Sequence, residues 1–432
     1  MRPEGKASLS EGKNMKVFDK MVMSRRSLVT AGLLGGAAIS LAACGGSSES
    51  GSASGSGEAA AGDLKVGLIC LHDENSTYDL NFINGFKEAC EAAGISEQNY
   101  FIKTGIDESD ACYDAAAELA DNGCSIVFAD SFGHEDYMIQ AAKEFPEVQF
   151  CHATGTKAHT EGLDNFHNAF ASIYEGRYLA GVAAGLKLQE MIDAGDIKAK
   201  EAKMGYVGAY TYAEVISGYT SFYLGAKSIV PEVTMDVKFT GSWYDETAEK
   251  EAATTLINGG CVLISQHADS MGAPTACENA GVPDVSYNGS TVDACPKTFI
   301  VSSRINWAPY YQMVIDAVRN GDALDPDWTG TIATDSVQLT EVNEAAAAKG
   351  TADKIEEVKA QLEDGTLHVF DTSTFTKDKK ELDSYEADVD TDADYTPDTE
   401  VISDGYFHES EYRSAPYFDI QIDGINLLDT AF

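Results

Sequence analysis

Basic residues are scarce in this chain. Its 432 residues contain 30 lysines and arginines against 70 aspartates and glutamates, which gives a formal net charge of −40 at pH 7. Phosphate backbones and anionic membrane surfaces repel a protein of this charge, because like charges repel at long range and no basic stripe offsets them. Nucleic acids are therefore excluded as partners.

The sequence also lacks an apolar run long enough to span a membrane. A run at residues 28–42 is shorter than the ~20 residues that a spanning helix needs. Arg25 and Arg26 precede it, and it leads into LAAC, which ends at Cys44. This pattern predicts a lipoprotein signal peptide over residues 1–44, with Cys44 as the lipidated residue. Export by the general secretory or the twin-arginine route is compatible with it.

A segment rich in glycine and serine follows at residues 45–62. This composition behaves as a flexible coil and cannot pack a core, so it reads as a tether. The folded part is therefore expected to begin near Asp63. Together these features predict an exported protein that is anchored by lipid to the outer face of the cell membrane, or on the periplasmic side.

Cys-x-x-Cys pairs are absent among the nine cysteines, so no zinc or other metal is expected. With Cys44 assigned to the lipid, eight cysteines remain, and an even number permits disulfides in an exported protein. Several of the eight lie inside apolar strand or helix patterns, where a buried free thiol is the commoner state. The sequence leaves the disulfide state open.

Strand and helix patterns alternate from residue 64 onward. The run LKVGLICL at residues 64–71 is typical of a buried parallel strand, and residues 81–94 place apolar side chains at helical spacing before a glycine. This alternation predicts parallel sheets with helices on both faces. A chain of this length exceeds one core. We therefore predict an α/β fold with two doubly wound parallel-sheet lobes and a ligand cleft between them.

The predicted domain organisation has five parts. They are the signal peptide at 1–44, the tether at 45–62, a first lobe at 63–170 with a return segment at about 285–335, a second lobe at 171–284 with about 336–375, and an acidic loop and C-terminal appendage at 376–432. The appendage is expected to pack against the second lobe.

The predicted cleft is rich in aromatic residues. Ligands of parallel α/β sheets bind outside the carboxyl ends of the strands, where loops and helix N-termini converge. Aromatic faces stack on planar ligands, and nearby amides and carboxylates select the ligand's polar edge. A planar, uncharged heterocycle suits such a rim. Its predicted aromatic residues are Tyr78, Phe132, Tyr210, Tyr212, Trp243 and Trp307.

Two motifs invite other chemistry. His267, Asp269 and Ser270 are the residue types of a hydrolytic triad, but at one strand end they point in different directions, whereas a triad needs an oriented base and an exposed nucleophile. Residues 388–395 resemble a calcium loop, but Ala393 stands where the sharp turn requires glycine. We therefore predict a binding protein rather than an enzyme, with no cofactor.

Five segments of the chain carry a resemblance to a known family. They are LAAC, SFGHEDYMIQAAKEFPEVQFCHATG, YEGRYLAGVAAG, GSWYDETAEKEAATTLINGGCVLISQHADS and RINWAPYYQMVIDAVRNG. Together they resemble the basic membrane protein (Bmp) family, the purine nucleoside receptor A-like substrate-binding lipoproteins of ABC importers. The resemblance implies a type I periplasmic-binding-protein fold, three crossovers between the lobes and a purine-type ligand. After LAAC, the likeness runs in order from about residue 64 to 370.

The resemblance also implies roles for single residues. The family's stacking aromatics fall near Tyr78 and Phe132, and its contacts to the base fall near Asp73 and Asp269. Glu214 and Trp243 match family positions that face the cleft from the second lobe. The full predicted ligand-binding set is Asp73, Tyr78, Phe132, Glu214, Trp243, His267, Asp269, Asn288 and Asn306.

The family's ribose contacts are changed in this sequence. In nucleoside-binding members, an aspartate after a late strand and a lysine before an asparagine hold the ribose. Here the matching positions are Asn288 and Ile305, with Asn306 as the asparagine. The loss of both groups favours a free base such as adenine, while Arg304 leaves a nucleoside open.

The function implied is that of a lipid-anchored, monomeric receptor. It would close its lobes on a purine, either a free base such as adenine or a nucleoside, and deliver it to an ABC permease and its ATPase. The alternative is a sensor lipoprotein of the same fold that binds another planar metabolite.

Overall fold

The computed structural model describes residues 64–389 and 397–432. The predicted signal peptide, the tether and Cys44 lie outside these residues, as does most of the stretch at 388–395 that resembles a calcium loop. All described residues belong to one compact unit, Gly57–Phe432. Within the described ranges, none of the helices is both long and apolar enough to cross a membrane.

Strands and helices alternate along most of the described chain. The strands are β1 Val66–Ile69, β2 Tyr100–Lys103, β3 Ile126–Ala129, β4 Gln149–Ala153, β5 Phe166–Ala171, β6 Lys203–Gly208, β7 Thr234–Phe239, β8 Leu263–Gln266, β9 Asp284–Tyr287, β10 Phe299–Ile305, β11 Asp327–Gly330, β12 Val337–Leu339, β13 Glu386–Ala387, β14 Thr399–Glu400, β15 Ile402–Ser403, β16 Tyr406–Phe407 and β17 Ile425–Leu427. The helices are α1 Thr77–Ala92, α2 Asp110–Asp121, α3 Glu135–Glu144, α4 Ala158–Glu161, α5 Ile173–Ala194, α6 Ala213–Ile229, α7 Glu246–Asn258, α8 Gly272–Ala280, α9 Ala308–Asn320 and α10 Thr351–Glu363.

Most strands belong to two large sheets. The first has the order β11, β5, β4, β3, β1 and β2, and its strands run parallel. The second has the order β12, β10, β9, β8, β6, β7 and β17, with β12 antiparallel to β10. Helices connect the parallel strands, as such sheets require. The predicted fold of two α/β lobes is therefore confirmed.

The lobes are joined where the chain leaves one sheet for the other. These crossings lie between β5 and α5, between β10 and α9, and between β11 and β12. The predicted return segment at about 285–335 begins too early, because β9 and β10 pair in the second sheet. Only α9 and β11 return to the first lobe. A strand's apolar pattern does not reveal which sheet it joins, so the pattern placed this boundary wrongly.

Glycines bring α5 and α6 into close contact in the second lobe. A Cβ atom on Gly181 would lie 2.1 Å from the Phe222 carbonyl oxygen, and one on Gly225 would lie 2.1 Å from the Tyr178 carbonyl oxygen. Real Cβ atoms do not approach backbone this closely, so only glycine fits at either position. The tight packing fixes α5 against the sheet and positions Arg177, which contacts the cleft residues described below.

All eight cysteines in the described chain are free and buried. Burial raises the pKa of the Cys90, Cys151 and Cys261 thiols to about 12. Thiols of this kind pack as small apolar side chains, and little thiolate forms at neutral pH. The sequence left open whether these cysteines are free or form disulfides, and the structure favours free thiols.

Asp284, at the start of β9, makes stability depend on pH. It is completely buried, and burial raises its pKa from the ordinary 3.8 to about 7, opposed in part by a hydrogen bond from Ser286. Such a group contributes stability that is complete below the unfolded pKa and is lost as pH rises through the folded value. Between pH 4 and 8, we expect the free energy of unfolding of the wild type to fall by about 2–4 kcal/mol more than that of Asp284→Asn.

Denaturant unfolding of both proteins across this pH range measures the difference. Burial also raises the pKa values of Glu175, Glu249 and Glu409 to about 7. The variant should therefore keep part of the slope, that is, of the fall in the free energy of unfolding with pH. The same substitution at the exposed Asp107 is the matched control and should leave the slope unchanged. Identical slopes for the wild type and Asp284→Asn would contradict the prediction.

Candidate ligand-binding site

A cavity of about 370 Å³ lies between the lobes, at the carboxyl ends of the strands. Its volume falls at the lower end of the roughly 300–1,000 Å³ typical of small-molecule pockets. The first lobe contributes Leu71, His72, Tyr78, Asp79, Ser131, Phe132, Thr154 and Thr156. The second contributes Thr211, Tyr212, Ala213, Glu214, Ile216, Trp243, His267, Asp269 and Tyr287.

Aromatic rings form much of the cavity wall. Phe132 is 45% exposed and faces Tyr212 across the lobes, with ring centroids 5.6 Å apart. Tyr212 stacks on Tyr210 at 5.2 Å, and Trp243 lies edge-on to Tyr210 at 5.1 Å. At 5.6 Å the Phe132 and Tyr212 rings contact each other, so a planar ligand in the cavity would stack against the aromatic wall rather than between these two rings.

Asp79 is the buried carboxylate of the first-lobe wall. Its Oδ1 accepts a hydrogen bond from the His72 backbone N–H at 2.8 Å, and its Oδ2 accepts one from the Ser76 hydroxyl at 2.6 Å. Burial raises the pKa of Asp79, but hydrogen bonds from the His72 side chain, the Ser76 hydroxyl and the His72 backbone together outweigh burial and hold it below its ordinary value. Asp79 is therefore a rigid, ionised acceptor at neutral pH.

Arg177, His267 and Glu214 form a chain of hydrogen bonds behind the second-lobe wall. The buried Arg177 guanidinium donates to the Gln266 carbonyl at 2.9 Å and to Nδ1 of His267 at 3.0 Å, and it lies 3.3 Å from the Tyr287 ring centroid. Since Nδ1 accepts, Nε2 carries the proton and donates to Oε1 of Glu214 at 2.9 Å. The imidazole thus fixes the orientation of Glu214 at the cavity.

Burial keeps His267 neutral. It lowers the pKa of His267; the Glu214 carboxylate opposes this and the Arg177 charge adds to it. Both imidazole nitrogens are occupied by groups other than Ser270, whose hydroxyl accepts from the Gly272 N–H at 3.1 Å. His267, Asp269 and Ser270 therefore do not form a hydrolytic triad.

Asp269 lies at the cavity surface and is only 5% exposed. Burial, followed by the charges of Asp79 and other nearby carboxylates, holds the pKa of Asp269 well above its usual range, and Arg177 only partly opposes them. A protonated carboxyl offers one O–H donor and an acceptor oxygen side by side. Asp269 can therefore pair with a ligand edge that carries both functions.

The lobes also touch each other directly beside the cavity. Nδ2 of Asn81, on α1, donates to the Asn288 carbonyl at 3.0 Å and to its side-chain oxygen at 3.2 Å. The Thr77 backbone N–H donates to the Asp269 carbonyl at 3.3 Å. Asn288 has φ of +65°, a left-handed conformation that asparagine tolerates better than most residues. This conformation is the one in which Asn288 meets Asn81.

Six of the nine residues predicted from the sequence line the cavity. They are Tyr78, Phe132, Glu214, Trp243, His267 and Asp269.

Three predicted residues lie elsewhere. Asp73 is exposed and bonds Asn75 within its loop, Asn288 faces Asn81, and the Asn306 amide donates to the Asp335 carbonyl. Trp307, predicted for the rim, is instead 1% exposed in the core, stacked on Phe82 at 4.3 Å. Each of these positions follows a strand as the prediction required, but local spacing does not fix the direction of a side chain.

The sequence prediction missed part of the cavity wall. Asp79 follows the polar stretch after β1 and Tyr287 ends β9, so the position of each at a strand end was a signal that could have found it. Four further wall residues come from the C-terminal region, namely Arg413, Ala415, Pro416 and Asp419. No motif in that region signalled a site.

Comparisons with known proteins agree with this geometry. Residues 69–366 match the family described as ABC transporter substrate-binding protein PnrA-like (Bmp). A purine-binding protein of Brucella abortus is 33% identical over 60% of this chain and 69% of its own length. A putative ABC transporter glucose-binding protein of Haloferax volcanii is 30% identical over 55% of this chain, which spans only 58% of that relative.

Solved structures support the fold. An ABC transporter solute-binding protein from Conexibacter woesei has a TM-score of 0.57 and 19% identity over 71% of this chain and 98% of its own. A solute-binding protein from Aeropyrum pernix has a TM-score of 0.58 and 15% identity over 73% and 94%. These likenesses establish the type I periplasmic-binding-protein fold. Together with the family match over most of its length, they show that this chain belongs to the PnrA-like (Bmp) family of ABC transporter substrate-binding proteins.

Proposed function

We propose that this protein binds a purine, as a free base or a nucleoside, in the cavity between its lobes and delivers it to an ABC permease and ATPase outside the cell membrane. The observation that carries the proposal is a cavity between the lobes that combines aromatic rings from both lobes with the buried carboxyl groups of Asp79 and Asp269. Substrate-binding proteins of ABC transporters bind small ligands and work with such subunits. The purine-binding relative from Brucella abortus supports the ligand class.

The rings favour a flat ligand. Phe132 projects from the first lobe, and Tyr212 and Trp243 project from the second, so together they present an aromatic wall against which a bicyclic heterocycle could stack. Each aromatic contact is worth about 0.5–1.5 kcal/mol beyond area burial. The cavity is small enough that its walls would contact such a ligand on several sides.

The carboxyl groups favour a purine edge. Adenine presents an N–H donor beside a ring-nitrogen acceptor, and a protonated Asp269 offers the complementary pair. Asp79, held as a carboxylate, accepts a further N–H, and Glu214 can accept another. Anionic ligands would meet repulsion from these groups, so a neutral ligand suits the cavity better.

Lobe closure supplies the transport mechanism. A ligand that contacts both walls favours the closed arrangement, in which Asn81 meets Asn288, over an open one. The permease would then recognise the closed form. A sensor that passes a signal to another protein would use the same closure, so the receptor's partners distinguish the two roles.

Isothermal titration tests the ligand class. The purified protein, stripped of bound ligand by unfolding and refolding, is titrated with adenine, adenosine, guanosine, inosine and glucose. We expect micromolar or tighter binding for at least one purine and none for glucose. Binding of glucose alone, or of none of these compounds, would contradict the purine assignment and leave the family membership intact.

A further inference from the structure

The C-terminal strap, defined here as residues 397–432, touches both lobes. The Ser414 backbone N–H donates to Asp327 at the start of β11 at 2.9 Å, which ties the strap to the first lobe. Tyr219 of α6 donates to Gln421 at 2.7 Å, and β17 pairs in parallel with β7 at the edge of the second sheet. The predicted appendage thus contacts more than the second lobe.

The strap is ordered by burial as well as by hydrogen bonds. Phe418, Ile420 and Ile422 are almost completely buried, and Phe418 stacks on Phe370 at 4.2 Å. The buried side chains alternate with outward-facing residues such as Asp419, as expected for an extended segment. The position of Asp419 at the cavity therefore follows from the packing of its neighbours.

The strap forms a third wall of the cavity. Arg413, Ala415, Pro416 and Asp419 line it beside residues of both lobes. The family match ends at residue 366, so this wall lies outside the region shared with the family. The strap therefore makes the cavity of this chain different from one built of two lobes alone.

Two strap side chains bring complementary polar groups to the cavity. Arg413 is half-buried, and its guanidinium donates to the Asp388 carbonyl at 2.9 Å and to the Ala415 carbonyl at 3.4 Å. These contacts use two of its five donor N–H groups. Asp419 is exposed, and its Oδ1 accepts a hydrogen bond from the Tyr385 hydroxyl. Its second oxygen has no hydrogen bond within the described chain.

Asn288 and Ile305, which match the family's ribose-contact positions, are not placed to bind hydroxyl groups of a ligand. The Asn288 side chain is occupied by Asn81 and lies 3.5 Å from Asp269, and Ile305 is buried in the core. Neither lines the cavity. Hydroxyl groups on a ligand act as donors and acceptors at once, so a guanidinium and a carboxylate that line the same cavity can complement them. Arg413 and Asp419 are such a pair.

We propose that Arg413 and Asp419 bind hydroxyl groups of the ligand and make the protein prefer a purine that carries a hydroxylated substituent over the free base. This inference rests on the proposed function, because it requires a planar base against the aromatic rings. It assigns to the strap, which lies outside the residues that match the family, the role of selecting between the free base and the substituted purine.

The test compares adenosine with 2′,3′-dideoxyadenosine and adenine, by titration calorimetry on the wild type and on Arg413→Met and Asp419→Ala. We expect the wild type to bind adenosine at least tenfold more tightly than the dideoxy compound. Each variant should lose about tenfold to a hundredfold in affinity for adenosine and less than threefold for the other two, as charged hydrogen bonds imply. Glu411→Ala, an exposed strap carboxylate outside the cavity, should change none of the affinities.

The outcomes separate the two hypotheses. Equal affinity of the wild type for adenosine and its dideoxy analogue overturns the role of the strap but leaves the purine assignment standing. An equal loss for all three compounds in the variants does the same, because it indicates a structural effect; melting temperatures identify a variant that has lost its fold. If the wild type binds none of the three and no other purine, both proposals fail together.

Discussion

Replacing Asp269 by alanine is expected to weaken purine binding about tenfold to a hundredfold. Asp269 is buried at the cavity surface, and burial raises its pKa, which favours the form with an O–H donor beside an acceptor oxygen. Without it, the ligand's donor and acceptor would be buried unpaired, and each such group costs about 1–3 kcal/mol. Calorimetric titration with the tightest purine ligand measures the loss.

The matched control is Asp73→Ala. Both aspartates were predicted from the sequence to contact the base, but Asp73 is exposed and, among the described residues, its side chain accepts hydrogen bonds only from the backbone and side chain of Asn75. Its removal should change the affinity less than threefold. Equal losses for the two variants would contradict the cavity described here, and an unchanged affinity in Asp269→Ala would remove this residue from the site.

Replacing Asn81 by alanine is expected to weaken binding about fivefold to a hundredfold without touching the cavity. The Asn81 amide donates to the backbone and side-chain oxygens of Asn288 across the lobes, and both residues are buried. Loss of the amide leaves the Asn288 carbonyl unpaired in the closed form, whereas water can satisfy it in an open form. The closed fraction falls, and the apparent affinity falls by the same factor.

Two measurements check this prediction. Calorimetry gives the change in affinity, and small-angle scattering with and without ligand reports whether the variant needs more ligand to become compact. Asn122→Ala, an exposed asparagine at the end of α2, serves as control and should behave as wild type. Wild-type affinity in Asn81→Ala would show that the contact does not contribute to closure.

Much of the fold could be predicted from local patterns. Apolar strands such as β1 and β8, each followed by a polar stretch and a helix, specify parallel sheets, because side-chain periodicity and crossover geometry are local properties. The same regularity placed Tyr78 and Phe132 at the carboxyl edge of the first sheet and Asp269 at that of the second. The lobe boundary near 285 was wrong because strand partnership depends on contacts far along the chain.

Side-chain direction and long-range contacts account for the misses in the site. Trp307 follows β10 and has the residue type of a rim aromatic, yet the core space beside Phe82 accommodates it. Arg177 lies on a helix rich in small residues, and only the approach of His267 and Tyr287 gives the cation a role. Neither contact leaves a signal in sequence spacing.

The sequence by itself determined the α/β class, the two lobes and the aromatic and acidic character of the cleft, because composition and periodicity follow from neighbouring residues. Only the tertiary structure decided that Asn288 joins the lobes, that Arg177 orients Glu214 through His267, and that Arg413 and Asp419 of the C-terminal strap complete the cavity. These three features join segments roughly 40 to 340 residues apart in the chain, and such contacts are set by how the elements pack against one another.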